Sequence, residues 1–371
     1  MLEFYLTGSN ARGTRKTLRI FAGSSRDAIA DFKAKGYHEI TLHTDDVAAV
    51  AVSTMSKAKF NFFSPAERVQ LGRLSDKGLF LLMVRKFYFG LWWLLLLAAL
   101  TLVYINQSSA TPGSPVAIFI LVLLSPILFS ACVAYGGPRR KFNATIEAAC
   151  WGRWQKVLDR IPSLRGQVPR FELDVRTACA LAGLGRLDEA LALYEIHSDD
   201  EVVPAWLYWS RLSGVYHVAH RYMDALECLR QAKEKAPSNP LLALDLAMGL
   251  LENEVDTDYA TQLIDGISKT YISDLTALYL PFVNGLVALN TGRPGDAEAL
   301  FYAAEQGFSP MAEGGPLFRL LVDITTAYRA IAMADQGRKP EAEKLFGTVR
   351  PRFEALSYNR LLTRYTRSIK Q

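Results

Sequence analysis

Few residues in this chain stand at spacings that support chemistry. His217 and His220 lie three apart in one helical stretch, which would bring two imidazoles to one face as the start of a metal site. A metal ion there would need further ligands close by, and no ligand set is assigned. His38 and His43 are five apart on a strand, so they face opposite sides and do not pair. The four cysteines, Cys132, Cys150, Cys179 and Cys228, include no C-x-x-C. They read as small buried hydrophobes of a reducing compartment. The stretch Gly8-Ser9-Asn10-Ala11-Arg12-Gly13-Thr14-Arg15-Lys16 invites a phosphate-loop reading. It lacks the Gly-Lys-Ser/Thr order and falls between two strands, so it reads as a hairpin tip. There is no G-x-S-x-G and no H-E-x-x-H. No catalytic residue, metal or cofactor is assigned, and an enzyme is not expected.

The elements that position these residues divide the chain into four stretches. Residues 1–63 form a small basic α/β domain. Two alternating strands flank the hairpin tip, Ser24 and Asp27 open a helix in the manner of a capping box, Gly36 stops it, and a third strand follows. Over residues 2–45 this β-β-α-β order resembles small modules at the N-terminus of some bacterial membrane and secretion-apparatus proteins. Residues 64–86 start with Ser64-Pro65-Ala66-Glu67, an N-cap, a proline at N1 and a glutamate at N3. They predict an amphipathic juxtamembrane helix lying in the bilayer interface.

Residues 87–138 carry no Asp, Glu, Lys or Arg. Two apolar runs, 87–105 and 116–135, each approach the ~20 residues a helix needs to cross a hydrocarbon core of about 30 Å. They predict a two-helix transmembrane hairpin, kinked at Pro126. Arg73, Lys77, Arg85 and Lys86 precede it and Arg139, Arg140 and Lys141 follow it, which places both termini in the cytoplasm of a bacterial inner membrane. No cleaved signal peptide is expected, since no apolar segment follows a basic start. Net charge is +5 overall, with +6 in residues 1–86. That basic region suits an anionic leaflet, with lipid contact expected over 64–141. No dense basic run interleaves with aromatics, so no nucleic acid is expected. The absence of ionisable groups within the spans argues against a channel or pump.

Residues 139–371 repeat. In 206–237 the residues Trp209, Leu212, Ser213, Tyr216, Tyr222, Ala225, Leu229, Ala232 and Pro237 fall at fixed offsets. The alanine of the second helix recurs at Ala190, Ala225, Ala260, Ala297 and Ala342, followed four residues on by Tyr194, Leu229, Ile264, Phe301 and Phe346. A glycine ends the first helix at Gly185, Gly292 and Gly337. An earlier copy shows at Gly152, Trp154 and Val157. The pattern closely resembles the tetratricopeptide repeat over 142–349, with five repeats, a sixth before them, an inserted loop at 307–316 and a C-terminal capping helix. The expected fold is therefore mainly α: a C-terminal solenoid, two transmembrane helices and the small N-terminal α/β domain.

This resemblance implies a protein-binding scaffold whose concave groove is lined by the first helix of each repeat. Carried onto this chain, the groove positions are Glu172, Arg176, Ser210, Arg211, His217 and Asp245 early, then Tyr279, Phe282, Leu286, Tyr328 and Ile331 late. The implied ligand is a protein or peptide segment, acidic at one end and apolar at the other. The simplest competing account has Arg176 and Arg211 paired with the acidic run 199–201 and the aromatics packed internally. The expected role is a membrane-anchored adaptor. The alternative is a regulatory or assembly subunit of a larger inner-membrane complex, such as a secretion apparatus.

Overall fold

The structure is a computed structural model that describes residues 2–10, 15–22, 25–42, 76–90, 92, 100, 114–136, 138–166, 168–198, 203–268, 274–313 and 315–370. At the N-terminus, β1 (Leu2–Ser9) pairs antiparallel with both β2 (Arg15–Ala22) and β3 (His38–Leu42), in the order β2-β1-β3. Helix α1 (Ser25–Ala34) covers the sheet through Ala28, Ile29 and Phe32, which pack on Leu6 and Ile20. Gly36 ends α1 at φ +81°, a left-handed conformation that glycine adopts without steric cost.

The membrane reading is corrected here. Among the described residues no helix is long and apolar enough to cross a membrane. The two spans are not supported, nor is the inner-membrane location with cytoplasmic termini inferred from them. The start of the first run belongs to a charged helix, α2 (Asp76–Gly90), which carries Asp76, Lys77, Arg85 and Lys86 within fifteen residues. The rest of that run, apart from Trp92 and Leu100, lies outside the described residues, as does the expected helix start at Ser64. The second run forms one continuous helix, α3 (Ser114–Gly136), with Pro126 inside it. It packs on α2: Ala134 meets Leu79 and Met83, Phe87 meets Phe129 edge-on at 5.4 Å, and the Tyr88 hydroxyl donates to the Leu123 carbonyl at 2.5 Å. Leu124 and Leu128 stay exposed.

The rest is an array of helical hairpins. The pairs are α4 (Pro138–Ala149) with α5 (Trp154–Arg160), α6 (Arg170–Gly183) with α7 (Leu187–Glu195), and α8 (Ala205–Val218) with α9 (Tyr222–Lys235). They continue with α10 (Pro240–Glu252) and α11 (Thr257–Ser268), α12 (Asp274–Asn290) and α13 (Pro294–Ala312), and α14 (Pro316–Asp335) and α15 (Lys339–Ala355). Helix α16 (Asn359–Lys370) closes the chain. This solenoid-like packing follows from the repeat. Ala190, Ala225, Ala260, Ala297 and Ala342 are all buried, because each sits where the second helix presses on its neighbours. The small position of the first helix carries Ser213 in α8 and Gly285 in α12. A Cβ on Gly285 would lie 2.7 Å from the Phe301 ring, so only a small residue lets α12 and α13 approach.

The turn within each hairpin also repeats. Gly152, Gly185, His220, Gly292 and Gly337 all have positive φ. Each accepts the same stop: the next residue's N–H donates back to a carbonyl five residues earlier, as in Arg186 to Leu181, Arg221 to Tyr216, Arg293 to Ala288 and Arg338 to Met333. Those arginines each pair with a carboxylate three residues on: Glu189 at 2.6 Å, Asp224 at 2.7 Å, Asp296 at 3.3 Å and Glu341. The recurring unit is thus Gly/His-Arg-x-x-Asp/Glu-Ala.

One further expectation, the inserted loop at 307–316, is corrected. Residues 307–312 are not a loop but the last turns of α13, because Phe308 is buried and packs edge-on against Tyr279 at 5.1 Å. The C-terminal helix does more than cap an open end. Its residues reach back across three hairpins. Tyr358 lies against His217 (rings 5.6 Å apart), Arg360 binds Glu252 and Asn253, and Arg364 binds Asn290 at 2.6 Å.

Candidate functional site

The first helices α6, α8 and α10 carry the charged part of the array's inner side. Each is helical for ordinary reasons: α6 and α8 start after a proline, and Asn239 caps α10 through its side chain on the Leu241 N–H at 3.0 Å. Glu172 on α6 is buried and accepts from Arg211 Nη2 on α8 at 2.9 Å. The Arg176 guanidinium, one turn along α6, stands 4.0 Å from the same carboxylate and 5.5 Å from the centre of the Phe142 ring. Two half-buried arginines therefore share the Glu172 carboxylate. Ser210 is half-buried, and its carbonyl accepts from the Ser213 hydroxyl at 2.6 Å.

Asp245 on α10 is near enough to Arg211 to feel its charge. Burial pushes its carboxyl up to about 7, against the pull of Arg211. His217, at the far end of α8, belongs to a different group. It lies between Tyr222 and Tyr358, and burial holds its imidazole down at about 4 despite Glu252 nearby. His220 has positive φ at the turn, with its Nδ1 at 3.0 Å from the Tyr222 hydroxyl. Among the described residues no three metal-ligating side chains converge.

The late groove residues are placed otherwise. Phe282, Leu286, Tyr328 and Ile331 are buried in the main core, and Tyr279 is half-buried against Phe308. They form an aromatic stack, with Phe301 and Tyr328 5.6 Å apart and Phe282 5.7 Å from each. An open apolar far end is thus not what the chain builds: these side chains seal adjacent helices. The acidic run 199–201 lies outside the described residues, and the partner seen for both arginines is Glu172.

Sequence reasoning missed several polar groups. His197 Nε2 lies 3.0 Å from the Asp174 carboxylate, with Phe171 edge-on at 5.1 Å. Arg352, buried at the end of α15, pairs with Asp323 at 2.6 Å and covers the Trp151 ring at 4.4 Å. Glu252 is a buried carboxylate answered by Arg360 and by the Tyr358 hydroxyl, which donates at 3.3 Å. One signal was available: Arg360, Arg364 and Arg367 recur at helical spacing on the last helix, the spacing of a charged stripe.

A scan against protein-family models, a search of curated proteins and a search of solved structures each returned no match to this chain.

Proposed function

We propose that the chain is a binding scaffold of the tetratricopeptide type, which takes an acidic peptide segment of a protein partner into the recess formed by α6, α8 and α10. The observation that carries this reading is the pair Arg176 and Arg211, half-buried on successive first helices and sharing the Glu172 carboxylate, beside an Asp245 carboxyl that burial holds up at about 7. Excess guanidinium charge in a recess favours a carboxylate, which arginine can hold in a two-pronged hydrogen bond. The in-phase alanines, turn glycines and small helix-contact residues support the repeat assignment. The apolar anchors expected of the ligand drop out, since Phe282, Leu286 and Ile331 lie in the core.

The test is fluorescence anisotropy with a labelled peptide of alternating Glu and Gly, and a Lys-Gly control of equal length. The full chain should bind the acidic probe and not the basic one. Arg176→Glu combined with Arg211→Glu should abolish that binding, while Arg230→Glu on the outer helix α9 should not. Equal binding of both probes, or no loss in the double variant, would sink the reading.

A further inference from the structure

The first and last hairpins of the array meet. Glu147 on α4 pairs with Arg319 on α14 at 3.4 Å, both side chains about half exposed, at 48% and 46%. Arg352 on α15 covers Trp151 in the α4–α5 turn at 4.4 Å. Gly152, at φ +62°, presses on the end of α15 so closely that a Cβ would lie 2.2 Å from the Ala355 carbonyl oxygen. The array therefore closes on itself.

This junction differs in kind from the others. Neighbouring hairpins are joined by buried apolar side chains, as where Leu246 and Leu250 of α10 share a core with Val283 and Leu286 of α12. Among the described residues no apolar cluster joins α4 or α5 to α14 or α15: the core beside α4 holds Ala148, Val157, Ile161, Leu164, Leu173 and Ala180. The junction consists of one exposed ion pair, one guanidinium on an indole and one backbone approach. An exposed ion pair is worth little and weakens with salt. Arg352 is buried at the seam, but a junction without a buried apolar cluster lies toward the low-stability end of a structure.

We propose that this seam is a gate. It opens without unfolding the array, and its opening admits the segment bound between α6, α8 and α10. The proposal rests on the binding reading above only for what passes through; the opening itself stands on the seam's geometry. Arg176 places the two side by side. It stands 4.0 Å from Glu172, and its guanidinium lies 5.5 Å from the centre of the Phe142 ring on α4, the helix that carries Glu147 at the seam. A segment entering at the seam thus meets Arg176 first.

The buried Cys150 thiol reports on the seam. In the full chain with Cys132→Ser, Cys179→Ser and Cys228→Ser, the labelling rate of Cys150 by 4,4′-dithiodipyridine is followed against urea. At low urea the rate should depend weakly on denaturant, as local opening does, and rise steeply only near global unfolding. Arg319→Glu should raise the low-urea rate several-fold, and Glu147→Arg combined with Arg319→Glu should return it toward the starting value. Gly152→Val should raise it further, with circular dichroism confirming that the helices remain. Labelling that tracks global unfolding throughout, or that ignores both the charge reversal and its swap, overturns the gate.

A bismaleimide bridge between Glu147→Cys and Arg319→Cys, with all native cysteines replaced, separates the two proposals. Slower association of the acidic peptide after bridging supports the gate. Unchanged association overturns the gate and leaves the binding reading intact. Local opening with no acidic-peptide binding in the unbridged protein does the reverse.

Discussion

The two ends of the hairpin array share one frame and use it differently. At the inner position of the first helix the early hairpins carry Arg176 and Arg211, and the later ones Val283 and Tyr328. The early pair is half-buried and charged, whereas the late pair is buried in an aromatic core with Phe282 and Phe301. Each hairpin in such an array packs mainly on its neighbours, so its inner face can change without altering the frame. The early end has kept polar groups that helix packing does not need. The late end has used the same positions to join α12 through α16 into one body.

The largest expected effect lies in the late end. Phe301→Ala empties the centre of the stack formed with Phe282 and Tyr328, and should cost ~3–5 kcal/mol in urea unfolding. In the early end, Tyr194→Phe at the matching position removes only the hydroxyl that donates to the Tyr208 carbonyl at 2.8 Å, and should cost ~1 kcal/mol. Equal costs would break the comparison.

Glycines sharpen it next. Gly285→Ala forces a Cβ to 2.7 Å from Phe301 and should destabilise by ~1–3 kcal/mol. Gly214, on the early helix α8, has nothing within 4 Å of a new Cβ. Gly214→Ala should instead stabilise by up to ~1 kcal/mol, through helix propensity. A loss of stability at Gly214 would mean the early end is packed as tightly as the late one.

Titration comes third. The Asp245 carboxyl is raised to about 7 in the folded chain, so it favours the native state below the unfolded carboxyl value near 4, and that contribution is lost as pH rises through about 7. His217 acts in the opposite sense. Held down at about 4, it favours the native state above its unfolded value near 6.5, and that contribution is lost as pH falls through about 4. Asp245→Asn should therefore stabilise the chain at pH 8, by ~1–2 kcal/mol once solvent screening at this partly accessible site is allowed for, and leave it unchanged at pH 4. Melting curves across that range check it. The smallest effect belongs to the turn arginines: Arg186→Ala and Arg338→Ala should leave melting temperature unresolved from wild type at either end, since both guanidinium groups are exposed.

The periodic part was legible from residue types alone. The alanines at intervals of 35 to 45 residues, the glycines that stop the first helices and the small residues at the helix contact are local requirements, each met by a residue type with few substitutes. They are legible because close approach and positive φ exclude most side chains. The tertiary structure decided everything that depends on which inner faces meet. Tyr328 and Phe282 look like groove residues by offset, and only the stacking of α12, α14 and α16 shows that they are sealed. Apolar character likewise left the partner of 116–135 undetermined. Here α2 covers one side of α3 through Leu79, Met83 and Phe87, while Ile120, Leu124 and Leu128 stay exposed. The closure of the array, through Trp151, Arg352 and the Glu147–Arg319 pair, joins residues some 170 to 200 positions apart. No repeat unit encodes that contact, because it arises from small rotations summed over every hairpin between them.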